Sequence, residues 1–166
     1  METRTTTTGQ YLTFTLGGEV FALQIAKVRE VLESTGVTDI PRTPEHMLGV
    51  INLRGHAVPV VDMRRKLGMR PTEQTVDTCI IILEVASGTE EIVMGALVDS
   101  VREVSEMADA DIEAAPRLGG GGRDAWIRGM GRREERFVII VDVDEAFADD
   151  GRLAASLADA EDGRAA

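Results

Sequence analysis

The sequence is poor in most of the side chains that do chemistry. Its 166 residues include two histidines, His46 and His56, and one cysteine, Cys79. A lone thiol excludes an internal disulfide and supplies at most one soft metal ligand, which suits a reducing compartment. No Gly-x-Ser-x-Gly elbow occurs, and the run Gly119 to Gly122 is not followed by Lys-Ser or Lys-Thr, so it reads as a flexible link rather than a Walker loop. Asp109-Ala110-Asp111 and Asp142-Val143-Asp144-Glu145 lack the spaced oxygen ligands and central glycine of a calcium loop, which leaves them as caps and solvated turns. No catalytic residue, metal or cofactor is expected, and the protein is not read as an enzyme.

Aromatics make up only 4% of the chain, and 18 basic residues stand against 29 acidic ones, for a net charge of −11. A nucleic-acid surface needs positive potential and bases need aromatic platforms, so a small β-barrel that binds nucleic acid is the weaker alternative here. Long apolar runs are missing too. Ile80 to Leu83 and Phe137 to Val141 fall far short of the roughly 20 residues that cross a bilayer, and the start of the chain has no signal-like stretch. A cytoplasmic protein with no direct membrane insertion is expected.

What is present is a series of short apolar segments separated by turn signals, and 43% hydrophobic residues to build a core of Val, Ile, Leu and Ala. Segments at 11–16, 20–25, 28–33, 49–53 and 57–61 are followed by 78–85, 91–98, 101–106, 127–131 and 136–141. Ile25, Val28 and Leu32 also fit helical spacing, so 24–28 is read as a strand or a helical turn before one. Val28-Arg29-Glu30-Val31 recurs as Val101-Arg102-Glu103-Val104, 73 residues on. Gly49 and Val61-Asp62 recur as Gly129 and Val141-Asp142, 80 residues on. The difference of seven is absorbed around the four-glycine run. A duplicated five-stranded unit protects its edges by curling into a small barrel. The expectation is therefore an all-β protein, two packed five-stranded barrels with short connecting helices, Asp62 and Asp142 serving as helix caps. By position, 1–9 is a flexible leader and 10–148 the folded domain, with barrels near 10–77 and 78–148. Residues 149–166 form an acidic, Ala-rich tail or a frayed helix.

Charge is uneven: residues 1–72 carry 9 basic and 7 acidic side chains, net +2, and residues 73–166 carry 9 and 22, net −13. Three surface candidates stand out. Arg54, at the tip of Asn52-Leu53-Arg54-Gly55, is placed to fork onto a carboxylate. Strand alternation puts Glu30 on the face of Val28, an acid beside an apolar side chain, as at an interface rim. Trp126 is a core plug or an interface anchor.

Gly49-Val50-Ile51-Asn52-Leu53-Arg54-Gly55, continuing through Pro59-Val60-Val61-Asp62-Met63-Arg64, resembles the signature stretch of the CheW-like domain family of chemotaxis coupling proteins. Phe14 to Gly17, Ile25 to Glu30, Ile40 to Pro44, Gly95 to Asp99 and Gly129 to Gly131 support the likeness over roughly 10–148. The resemblance implies two intertwined five-stranded, SH3-like barrels and a non-catalytic adaptor. It links the cytoplasmic tip of methyl-accepting chemotaxis receptors to the regulatory domain of the histidine kinase CheA. The protein would be a monomer when isolated, in the cytoplasm, recruited to membrane-associated receptor arrays. The alternative in the same fold is a regulatory module of a larger kinase or receiver fusion. Carried over by match, the receptor-binding positions are Val28, Glu30, Val31, Gly49, Arg54, Gly95 and Val101, in a groove between the barrels. There the valines supply apolar contact, Gly95 allows close approach of a helix, and Arg54 pairs with a receptor acid.

Overall fold

The computed structural model describes residues 8–34, 36–114, 126–133 and 135–154. The leader up to residue 7, the four-glycine run and the tail from 155 lie outside the described residues. The first half runs β1 (Thr8–Leu16), β2 (Glu19–Gln24), a 3-10 turn (Ile25–Lys27), β3 (Val28–Glu33), β4 (Met47–Leu53), β5 (His56–Asp62) and α1 (Met63–Lys66). The second half runs β6 (Cys79–Ser87), β7 (Glu90–Val98), β8 (Ser100–Ala108), a 3-10 turn (Asp109–Asp111), β9 (Ile112–Glu113), β10 (Ile127–Arg133), β11 (Arg136–Val141) and α2 (Val143–Ala146). Residues 148–154 are helical as well. Helix at 149–154 is one of the two forms expected there, while at the other end order begins earlier than expected. Thr8 and Gly9 pair with Ala108 and Met107, and these ladder bonds hold two residues assigned to the leader.

The strands form two sheets, ordered β8-β1-β2-β11-β10-β9 and β3-β6-β7-β5-β4. Exchanging β1 with β6, β2 with β7, β3 with β8, β4 with β10 and β5 with β11 converts one order into the other. The first hairpin of each half thus sits inside the other half's sheet, so the halves are intertwined. It enters parallel to a host strand, with Phe21 beside Ile139 and Gly95 beside Val60. The first sheet has a sixth strand because Ile112 and Glu113 pair with Gly131 and Met130, whereas the matching position beside β4 holds only the Thr38–Val50 bridge.

The sequence repeat has a structural meaning. Val28 faces Leu83 and Glu30 faces Ile82, so Arg29 is the extra residue of a bulge. Val101 faces Phe14 and Glu103 faces Thr13, so Arg102 is its counterpart. Likewise Asp62 N donates to His46 O and Asp142 N donates to Trp126 O, both at 2.7 Å and 80 residues apart.

Both faces of the inner strands are buried, which is why they read as unbroken aliphatic runs. On β6, Ile81, Leu83 and Val85 face a central core with Phe14, Leu16 and Phe147, while Ile80 and Ile82 face a second cluster with Val58 and Leu97. Tyr11, Ala22, Met107 and Ile140 make the equivalent cluster behind the first sheet. Trp126 packs partly buried against the central core, which is the plug role. The Cys79 thiol, half-buried, donates to Asp77 O.

Both predicted caps form: Asp62 accepts from Arg64 N and Asp142 from Glu145 N. Each short helix also pins a distant strand junction. Arg64 on α1 forks onto Asp99, whose second oxygen accepts from Gly17 N at 2.8 Å. Asp144 on α2 accepts from Lys27 Nζ and from Ala86 N, each at 2.8 Å. It is one bond type used twice with the charges reversed.

Candidate interaction surface

The β4–β5 hairpin turns on two residues, Arg54 and Gly55, and both have positive φ, at 51° and 86°. A primed hairpin turn demands this, and a non-glycine residue there is held by its surroundings. Asn52 Oδ1 accepts from Gly55 N at 2.8 Å and fixes the turn. Arg54 Nη1 and Nη2 then donate to Glu30 Oε2 and Oε1 at 2.6 and 2.9 Å. The fork joins β3 to the turn that follows β4, and so ties together the two edges of the five-stranded sheet. The hydrogen bond from Arg54 holds the Glu30 carboxyl below its usual range despite partial desolvation, and the same bond raises the arginine.

The strap stands at the mouth of a cleft of about 570 Å³, whose apolar wall includes Leu53, Val58, Pro59 and Val93 and whose rim carries Arg29 and His56. Ala154, the last described residue, reaches this cleft from the C-terminal helical segment. That segment is anchored by Asp150, 2% exposed, which takes His46 Nε2 at 2.6 Å and Lys66 Nζ at 2.9 Å. His46 is thus a structural clasp rather than a free surface group.

Of the seven residues carried over from the resemblance, only Glu30 and Arg54 line this cleft. Val31, on β3 next to Glu30, is 39% exposed. Val28 and Val101 lie at the start of the equivalent edge strands, first in β3 and second in β8, and pack, half-buried, against the core between the sheets. Gly49 and Gly95 are buried. A Cβ at Gly49 would lie 2.0 Å from Thr38 O, so the backbone of residues 38–39 already occupies that space. At Gly95 a Cβ would meet Ile80 Cγ2 at 2.8 Å and Val60 Cγ2 at 3.3 Å, so what approaches this glycine closely is the protein's own sheet. Sequence reasoning missed Arg29, His56 and Pro59 as cleft residues. The Val-Arg-Glu-Val repeat held the clue to Arg29, since a bulged residue turns its side chain out of the ladder.

Among the described residues no group of His, Cys, Asp and Glu is arranged to hold a metal ion, and no helix is long and apolar enough to cross a membrane. The arrangement offers a rigid two-sheet body, a strapped cleft and exposed apolar residues beside it: a surface for another protein.

Comparison with known proteins leads to the same place. The family model described as CheW-like domain matches residues 10–151. The chain is 36% identical to the chemotaxis protein CheW of Rhizobium meliloti over 88% of this chain and 92% of that one. It is 34% identical to the chemotaxis protein CheW of Klebsiella aerogenes over 86% and 84%. A crystal structure of the scaffolding protein TtCheW from Thermoanaerobacter tengcongensis superposes with a TM-score of 0.74 at 30% identity, covering 85% of this chain and 93% of that one. The chain belongs to the CheW-like domain family of chemotaxis scaffold proteins, which work by binding rather than by catalysis.

Proposed function

We propose that this protein couples the cytoplasmic tip of chemoreceptors to the regulatory domain of the histidine kinase CheA, as a cytoplasmic scaffold recruited to receptor arrays. The observation that carries the reading is the Glu30–Arg54 strap at the mouth of an apolar-walled cleft, next to the exposed Val31. Val28, Val31 and Val101 supply apolar contact to a helix face, and Glu30 with Arg54 sets the polar rim. Gly49 and Gly95 act from beneath by letting the sheet close. Because Glu30 already holds the guanidinium, a receptor acid meets the pair as a unit and competes with Glu30 for the fork.

Titrating labelled full-length protein first with a kinase regulatory domain and then with a receptor tip tests this. Saturable binding of both is expected, and binding of neither overturns it. Arg54→Glu is expected to weaken receptor binding by about tenfold or more, with the fold intact by circular dichroism. Wild-type affinity in that variant removes the cleft from the receptor site.

A further inference from the structure

We propose that the six-stranded sheet carries its own docking cleft, a charge-converted copy of the one on the five-stranded sheet, which takes an acidic protein segment bearing an apolar side chain. The exchange of strands that maps one sheet onto the other maps Glu30 onto Glu103. Glu103 on β8 is held by Arg133 at the end of β10, with Nη2 to Oε2 at 2.6 Å. This strap again joins edge regions of its sheet, β8 to β10, as Glu30–Arg54 joins β3 to β4. Behind it lies a cleft of about 380 Å³. The bulge residue Arg29 at the first cleft becomes Arg102, and the wall residues Val58 and Val93 become Val138 and Val20.

The differences point to the ligand. Where the first cleft has Leu53, His56 and Ala57, the second has Arg133, Arg136 and Phe137. Phe137 is 50% exposed, and the Arg132 guanidinium sits 5.5 Å from its ring centroid. Residues 73–166 carry a net charge of −13 with only nine basic residues, yet four of those nine, Arg102, Arg132, Arg133 and Arg136, line or flank this cleft. Arg133 is engaged by Glu103 and Arg132 by Glu113 at 2.9 Å. Among the described residues neither Arg102 nor Arg136 has an ion-pair partner, and both guanidinium groups share the cleft with the exposed ring, Glu19 and the strapped Glu103. Carboxylates spaced around one apolar residue complement that pattern. A polyphosphate chain fits it less well, because it brings nothing apolar to the exposed Phe137 ring.

The test uses the full chain labelled with nitrogen-15 and two synthetic helix-forming peptides. One has Glu at every third or fourth position around a Leu pair; its twin has Lys for every Glu. The acidic peptide is expected to shift the amide signals of Val20, Arg102 and Phe137 saturably, with affinity falling as salt rises, and the Lys twin is expected to leave them unmoved. Arg102→Glu with Arg136→Glu should weaken that binding by at least about tenfold at unchanged melting temperature, and Phe137→Ser provides a second, charge-neutral variant. Arg54→Glu should not affect it. Shifts confined to Leu53, His56 and Val58, no saturable shift, or equal displacement by a single-stranded oligonucleotide would overturn the proposal. Receptor-tip binding, read separately, stands or falls on its own.

Discussion

Arg54 combines a backbone conformation that side chains seldom adopt with a guanidinium anchored on Glu30, so position and charge are both fixed before any partner arrives. The charge-swapped double variant, Glu30→Arg with Arg54→Glu, separates the two roles. If the pair only straps the sheet, the swap restores receptor binding lost in Arg54→Glu; if a receptor acid is read directly, binding stays weak. Asp99 and Asp144 make a different prediction. Burial raises each carboxyl, but for Asp99 the Arg64 fork and Gly17 N–H, and for Asp144 the Ala86 N–H and Lys27, outweigh it and leave both below the usual carboxylate range. A lowered folded-state pKa adds stability above the unfolded value of about 3.9 and loses it as pH falls through the folded one. Asp99→Asn is expected to melt a few degrees below wild type at pH 7, and the gap should narrow below about pH 4; a gap constant from pH 7 to 3 would count against the ion pair.

At the scale of elements, the hairpins and helix caps were legible because each rests on a local rule: Arg54-Gly55 and Gly17-Gly18 supply positive φ, and Asp62 and Asp142 supply cap oxygens. The Val-Arg-Glu-Val repeat was visible as letters, but its meaning as a bulge was not, since a bulge is defined by a partner strand some 50 to 90 residues away. The two repeated glycines show the same limit. Gly49 and Gly129 were legible as equivalents, yet only the structure brings Thr38 under one and Ile112 to Glu113 under the other. Gly49→Ala, which puts a methyl against fixed backbone at positive φ, is expected to cost about 3 kcal/mol or more. Gly129→Ala, whose methyl would meet Ile112 Cγ2 at 2.7 Å and Glu113 O at 2.9 Å but at a position without positive φ, should cost less. Urea unfolding of the two variants side by side checks the order. Any loss of partner binding in Gly49→Ala then follows from a distorted β4 rather than a lost contact.

At the scale of the whole molecule, the exchanged hairpins decide how the protein folds and holds together. The sequence implied two units by repetition, but nothing short-range in it records which sheet a hairpin enters. That is decided by the parallel pairings of β2 with β11 and β7 with β5 and by the central core. Phe14, Phe21 and Leu16 from the first half meet Ile81, Leu83 and Phe147 from the second in that core, so neither half can bury its apolar surface alone. A fragment ending near residue 77 would leave β3 without β6 and β5 without β7, with two open sheet edges and no central core. Fragments 1–77 and 78–166 are therefore expected to be unfolded or aggregated singly and to regain the native β signal only when mixed or co-expressed. The intact chain should unfold in a single urea transition reported alike by Trp126 fluorescence and by circular dichroism. Two separated transitions, or a first fragment that folds by itself, would mean that each half can take back its own hairpin and that the exchange is not required for stability.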